Sequence, residues 1–303
     1  MERRPLGNSG LEVSRVGLGC NNFGGRIDAG ATRDVVDAAL EAGVTFFDTA
    51  DIYGNRGGSE ELLGELLEGR RESVVLATKF GKEMGDGEER RGSPAYVRKA
   101  IDASLRRLRT DRVDLYYMHE PDPGTPIAET LAALDTLVHD GKVRAIGCSN
   151  FSAAQLAEAD AAARTLGTVR FVAVQNHFNL LERADEEEAL LQARELGVAY
   201  VPYFPLASGL LTGKYRRGEP TPPGTRLAGR QIDDATFDRI EPLEGFAEER
   251  GHSLLELAVS GLASMPGVVS VIAGATTPEQ VRANVAAGSW TLTEDELAAL
   301  AAV

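Results

Sequence analysis

Phe46-Phe47-Asp48-Thr49-Ala50-Asp51-Ile52-Tyr53-Gly54 joins a short apolar strand to a carboxylate at its end and a phenol one loop later. Two bulky apolar residues lead into Asp48, and Gly54 closes the turn that follows Tyr53. The pattern recurs downstream. Val74-Val75-Leu76-Ala77-Thr78 ends in Lys79, and Val113-Asp114-Leu115-Tyr116-Tyr117-Met118 ends in His119. Four reactive groups thus come from three strands and the loop after one of them.

Working outward, short apolar runs alternate with amphipathic helical stretches along the whole chain. Strands are expected at residues 16–19, 45–48, 74–78, 113–119, 143–148, 172–175, 198–202 and 269–272. Helices are expected at 31–42, 59–68, 94–108, 127–139, 153–166, 185–196, 233–250 and 293–301, several closed by a glycine such as Gly43, Gly141 or Gly197. A hairpin around Gly7-Asn8-Ser9-Gly10 precedes them. Eight βα units with strands apolar on both faces fit a closed (β/α)8 barrel of the α/β class, a TIM barrel with an N-terminal β-hairpin, better than an open doubly wound sheet. No Gly-x-Gly-x-x-Gly opens a helix after a strand; Gly17-Leu18-Gly19-Cys20 lacks the third glycine. The expected organisation is one domain over residues 1–303. In such a barrel the carboxyl ends of the strands face the active site, which brings together Asp48, Lys79, His119, Ser149, Asn150, Gln175 and Tyr203.

Lys and Arg number 32 against 46 Asp and Glu, a formal charge of −14 that argues against a nucleic-acid or anionic-membrane partner. The N-terminus has no apolar signal region, and no apolar run approaches the roughly 18 residues of a membrane span. A cytoplasmic protein is expected. Cys20 and Cys148 have no metal or disulfide spacing and read as reduced thiols, and no metal site is expected.

The four groups suit reduction of a carbonyl. Tyr53 is the natural proton donor to the carbonyl oxygen, although a free phenol near pKa 10 is a weak acid at neutral pH. An ammonium at Lys79 is expected to move the phenol towards the working range, and Asp48 to keep Lys79 charged. A neutral His119 can donate one N–H to the same oxygen. Only a hydride is lacking.

Six ordered segments resemble the aldo-keto reductase family: 46–54, Ala77-Thr78-Lys79-Phe80, Tyr117-Met118-His119, Gly147-Cys148-Ser149-Asn150-Phe151, Val174-Gln175-Asn176-His177-Phe178-Asn179-Leu180-Leu181 and Tyr203-Phe204-Pro205-Leu206. The resemblance runs from Leu6 to Asn284. It implies a catalytic tetrad of Asp48, Tyr53, Lys79 and His119, and a nicotinamide cofactor bound without a Rossmann domain. By position Ser149, Asn150 and Gln175 would hold the nicotinamide carboxamide, with Tyr203 stacked on the ring. Cys20, Asn21 and Asp48, together with Phe204, Pro205, Leu206, Ala207 and Gly209, belong to the implied cofactor bed. Lys214 and Arg226 would neutralise the pyrophosphate. Gly274, Thr276, Gln280 and Asn284 would hold the adenosine end. Many NADP-preferring relatives carry cations at or near Thr276 and at Gln280, and this chain does not; NADP is the expected cofactor, with NAD as the alternative.

Glu120 stands where many relatives place Trp, which implies a polar rim, and residues 81–92 form a Gly-, Glu- and Arg-rich loop suited to covering a substrate. His177 and His252 read as structural histidines and His139 as solvated. The run Asp185-Glu186-Glu187-Glu188 reads as a helix-opening surface that complements the dipole. Ser149-Asn150 also suits a cap for the helix at 153–166. The expected function is NAD(P)H-dependent reduction of an aldehyde or ketone, or the reverse oxidation of an alcohol. Two rivals remain: a Schiff-base lyase using Lys79, and a cofactor-binding regulatory subunit with little turnover, as the resemblance allows. The sequence specifies no oligomeric state.

Overall fold

The computed structural model describes residues 1–303. Strands β1 (Arg3–Pro5) and β2 (Glu12–Ser14) form an antiparallel hairpin in which Arg4 faces Val13. Eight parallel strands follow: β3 (Val16–Gly19), β4 (Phe46–Asp48), β5 (Val75–Phe80), β6 (Val113–Met118), β7 (Val143–Ser149), β8 (Phe171–His177), β9 (Ala199–Tyr203) and β10 (Val271–Gly274). They pair in chain order, and β10 closes on β3 with Val271 opposite Val16. The fold is the (β/α)8 barrel expected, with the hairpin in front.

The outer layer contains α1 (Ala29–Glu41), α2 (Tyr53–Leu66), α3 (Pro94–Arg107), α4 (Ile127–His139), α5 (Ala153–Leu166), α6 (Ala189–Leu196), α7 (Asp234–Glu248), α8 (Leu254–Ser264), α9 (Pro278–Ala287) and α10 (Glu294–Ala301). Local chemistry sets many boundaries. Ser93 caps α3 with Pro94 at its first position, reciprocal capping boxes open α5, α8 and α10, and Gly197 closes α6 in the left-handed conformation.

Side-chain alternation sorts the strands into two shells. Phe46, Ala77, Leu115, Tyr117, Ala145, Ala173 and Val201 point inward and form one cluster with Leu6, Leu11 and Val13, so the hairpin plugs the amino-terminal end of the barrel. Phe47, Leu76, Tyr116, Met118, Ile146, Val174 and Tyr200 belong to the larger cluster beneath the helices. Two residues beyond the inward layer, the same parity yields Asp48 after Phe46, Lys79 after Ala77, His119 after Tyr117 and Gln175 after Ala173. The apolar plug therefore supports a polar layer at the carboxyl ends.

Several expectations need correction. The helix expected over 185–196 is broken: a 3-10 turn at Ala184–Glu186 precedes α6. The Asp185 carboxylate accepts hydrogen bonds from the Tyr200 hydroxyl (2.6 Å) and the Asn176 amide (2.7 Å), which pins it to the barrel, so the acidic run is in part a structural clamp. Helices α8 and α9 were absent from the expected elements, and Ser152 rather than Ser149-Asn150 caps α5, in a capping box with Gln155.

Candidate active site

Lys79 is fully buried, and its Nζ donates to Asp48 Oδ2 at 2.6 Å and to the Thr49 carbonyl at 2.9 Å. Asp48 Oδ1 accepts from Gln175 Nε2 at 2.8 Å. The ammonium lies 5.1 Å from the centroid of the Tyr53 ring, and the Tyr53 and His119 rings meet edge to face with centroids 5.8 Å apart. The four expected groups share one site.

Their ionisation differs in one respect from the sequence reading. Burial pushes the Tyr53 phenol above its ordinary value, and the opposing pull of Lys79 does not cancel it. The phenol is thus held in its proton-bearing form. Burial pulls the Lys79 ammonium down, but Asp48 and Tyr53 outweigh it and leave the pKa above the usual lysine range. Burial, then the charges of Lys79 and Lys82, hold His119 well below the usual imidazole value, so the ring is neutral; its Nδ1 is buried without a partner.

Around these groups the backbone is strained. All the non-glycine residues with positive φ except Arg109 lie on loops at this end: Asn55, Arg56, Asn150, Phe204, Ala207 and Ser208. Such conformations concentrate where a surrounding structure over-determines them for function. At the start of α2, Gly54, Asn55 and Arg56 (φ 65°, 60° and 70°) make one left-handed turn directly after Tyr53.

A cavity of about 390 Å³ opens beside Asp48 and Tyr53. Asn21, Gln175, Tyr203, Phe204, Pro205, Leu206, Ala207, Gly209, Lys214, Arg226, Gly274, Thr276, Gln280 and Asn284, all expected at the cofactor, line it. Ser149 and Asn150 lie behind this wall: Asn150 Nδ2 donates to the His119 carbonyl (2.9 Å) and Ser149 Oγ (3.1 Å), while its Oδ1 accepts from the Tyr203 hydroxyl (2.8 Å). His177 stacks on Tyr203 with centroids 5.5 Å apart, so one face of that phenol is already backed. Cys20 stands outside the lining, its thiol fully buried and turned to the Leu18 carbonyl. The 81–92 loop is tied to neighbours by charge, through Lys82 to Glu120 and Arg56 to Glu83.

Sequence reading missed Asn22, Arg26, Thr212 and Thr225, which also line the cavity. Arg26 matters most. Together with Lys214 and Arg226 it makes three cations on one cavity, none in a salt bridge, in a chain of net charge −14. Burial, then the charge of Arg26, pull the Arg226 pKa down. Asp48 is the only carboxylate in the lining. The three cations suit a polyanion, and Asp48, Tyr53 and Tyr203 line the same cavity. No group of three or more His, Cys, Asp or Glu side chains is placed to hold a metal ion, and no helix is long and apolar enough to cross a membrane.

Comparison with known proteins agrees with this geometry. A family model described as the aldo/keto reductase family matches residues 15–303. The chain is 38% identical to the uncharacterized oxidoreductase YrpG of Bacillus subtilis (strain 168), over 98% of this chain and 94% of the relative. It is 36% identical to a probable voltage-gated potassium channel subunit beta of Oryza sativa subsp. japonica (95% and 91%), and 35% identical to the aldo-keto reductase YhdN of Bacillus subtilis (98% and 91%).

Proposed function

The chain belongs to the aldo/keto reductase family and is an oxidoreductase, and from that premise we propose that it interconverts small aldehydes or ketones and their alcohols, with Tyr53 as the proton donor. The observation that carries this reading is the buried Lys79–Asp48 pair set beneath the Tyr53 ring at the mouth of a cavity rich in unpaired cations. The lining residues of that cavity would hold a nicotinamide dinucleotide, which would supply the hydride.

The remaining work falls to the chain's own residues. Tyr53, held protonated, gives its proton to the carbonyl oxygen, and the Lys79 ammonium stabilises the phenolate left behind. Asp48 keeps that ammonium charged and in place. Neutral His119 has a ring N–H to offer to the same oxygen. Tyr203, backed by His177, presents its free face to a flat ring. Asn150, which also donates to Ser149, holds Tyr203 and the His119 segment, and the reach of Ser149 and Asn150 to a carboxamide belongs to the same proposal.

NADP is the favoured cofactor. A pyrophosphate bridge carries about two negative charges, and the cavity offers three unpaired cations, so a third anionic group such as the 2′-phosphate is accommodated. The Thr276, Gln280 and Asn284 end contains no acid of the kind that accepts a ribose 2′-hydroxyl in NAD sites. The site, with no metal, is expected to act on small carbonyl or alcohol substrates, in the cytoplasm, without nucleic acid or membrane as partner.

The protonated state of Lys79 speaks against an amine nucleophile and so against the Schiff-base alternative. The regulatory-subunit alternative would show tight NADPH retention with negligible turnover on every carbonyl tried. Single-turnover mixing of NADPH-loaded protein with a panel of aldehydes tests the main reading. Tyr53→Phe should lower the rate about 10²- to 10⁴-fold with NADPH affinity little changed. Undiminished turnover in that variant would overturn the assignment of Tyr53.

A further inference from the structure

Behind β5, on the face turned away from Lys79, lies a closed group of polar side chains that the proposed chemistry leaves unused. Successive strand residues face opposite sides, so Lys79 points into the barrel and Thr78 outward against α2 and α3. The Thr78 hydroxyl donates to Glu60 Oε1 at 2.5 Å, and Arg107 Nε donates to Glu60 Oε2 at 2.6 Å. Glu60 is fully buried and fully engaged. Asp51 is buried within the influence of the Glu60 and Arg107 charges: it is 2% exposed, and its Oδ1 has no partner. Nor has the buried hydroxyl of Tyr116, which faces Thr78 in the β5–β6 register.

Asp51 is also two residues from Tyr53. Its backbone N–H donates to the Lys79 carbonyl (3.1 Å), and the Tyr53 N–H donates to the Ala50 carbonyl (3.1 Å). The turn that presents the phenol is therefore tied by its backbone to the strand bearing Lys79, and it carries the buried Asp51 side chain two residues before Tyr53. On its other side comes the strained left-handed turn at residues 54–56, which would relax if its footing moved.

We propose that Asp51 is a positioning residue for Tyr53: as a neutral acid it sits among Glu60, Arg107, Tyr96 and Tyr116 and keeps the turn in place, and its ionisation displaces that turn. The proposal rests on the reading of Tyr53 as proton donor. The charges that act on Asp51 are Glu60 from α2, Arg107 from α3 and, across β5, Lys79; the Asp51 charge acts in turn on Tyr96 of α3 and Tyr116 of β6. Burial and then the Glu60 carboxylate push the Asp51 carboxyl up, against Arg107 and Lys79, to about 8. The Tyr53 phenol is itself raised from 10, so its own ionisation is not expected near 8.

Asp51→Asn mimics the neutral acid and supplies the test. In the wild-type protein kcat for aldehyde reduction should fall as pH rises through about 8; in Asp51→Asn it should stay within about threefold of its neutral value up to roughly pH 9. KM for NADPH should not follow either profile. Carbon-13 titration of the Asp51 carboxyl and of the Tyr53 ring in the wild-type protein reads the coupling without turnover and without a variant that must fold. Both resonances should move together near pH 8. An Asp51 already ionised at neutral pH, a Tyr53 ring that ignores its titration, or an unchanged alkaline fall in Asp51→Asn would overturn the proposal. Absence of turnover on any carbonyl would instead defeat the reductase reading and leave the two titrations to decide the role of Asp51.

Discussion

At the scale of single residues, the buried Lys79–Asp48 pair has opposite consequences for its two members. Removing Lys79 leaves a buried carboxylate whose only remaining donor is Gln175, so Lys79→Met should lose about 3–5 kcal/mol of stability as well as turnover, read by urea unfolding. A loss below about 1 kcal/mol would mean the pair is more hydrated than its burial indicates. Asp51 adds a pH-linked term. Its pKa rises from 3.8 unfolded to about 8 folded, so the folded state keeps a proton that the unfolded chain releases. The contribution is complete below about pH 4 and lost as pH rises to about 8, at about 1.4 kcal/mol per pH unit. The Tm of Asp51→Asn relative to wild type should therefore climb across that window; a constant difference would contradict it. Asp48, Tyr53, Lys79 and His119 were legible because each ends or follows an apolar strand. Asp51 and Arg26 were not, because their meaning depends on neighbours such as Arg107 and Arg226, far away in sequence.

At the scale of elements, every barrel strand was visible in the sequence to within a few residues, since strands buried on both faces appear as unbroken apolar runs. The errors arose where tertiary bonds overrode local pattern. Asp185 leaves the α-helix for a 3-10 turn in which it accepts from Tyr200 and Asn176, and α8 is so uniformly buried, from Leu254 through Ala263 with few exceptions, that it shows little amphipathic period. Gly147 was read only as part of a family segment, yet β7 needs it: a Cβ there would lie 2.5 Å from the Tyr117 ring and 2.9 Å from the Ala173 carbonyl. Gly147→Ala should cost about 1–3 kcal/mol through overpacking and should push Tyr117 upward into the layer of Asp48 and Gln175. Thermal unfolding and NADPH affinity would both report it, and a variant with wild-type values in each would show that Tyr117 yields without strain.

At the scale of the molecule, the charge distribution carries the argument for the cofactor. A chain of net charge −14 concentrates Arg26, Lys214 and Arg226 on one cavity, and an anion bound there would offset the mutual repulsion of these cations. Ligand binding should therefore stabilise the whole fold. NADPH at about 100 times its Kd should add about 2.7 kcal/mol, a rise of roughly 5 °C in Tm for a chain of this size. NADH at the same concentration should give less. The only tryptophan, Trp290, binds Arg15 through its carbonyl below the start of β3, at the end of the barrel away from the cavity, so nucleotide emission is the better reporter of affinity. Arg26→Gln should raise the NADPH Kd about tenfold by removing a charge-assisted contact. If it weakens NADPH and NADH alike, Arg26 serves the pyrophosphate; if it weakens NADPH alone, it serves the 2′-phosphate. Equal shifts from the two cofactors in the wild-type protein would overturn the preference for NADP, and an Arg26→Gln chain that binds both as tightly as wild type would remove Arg26 from the cofactor site.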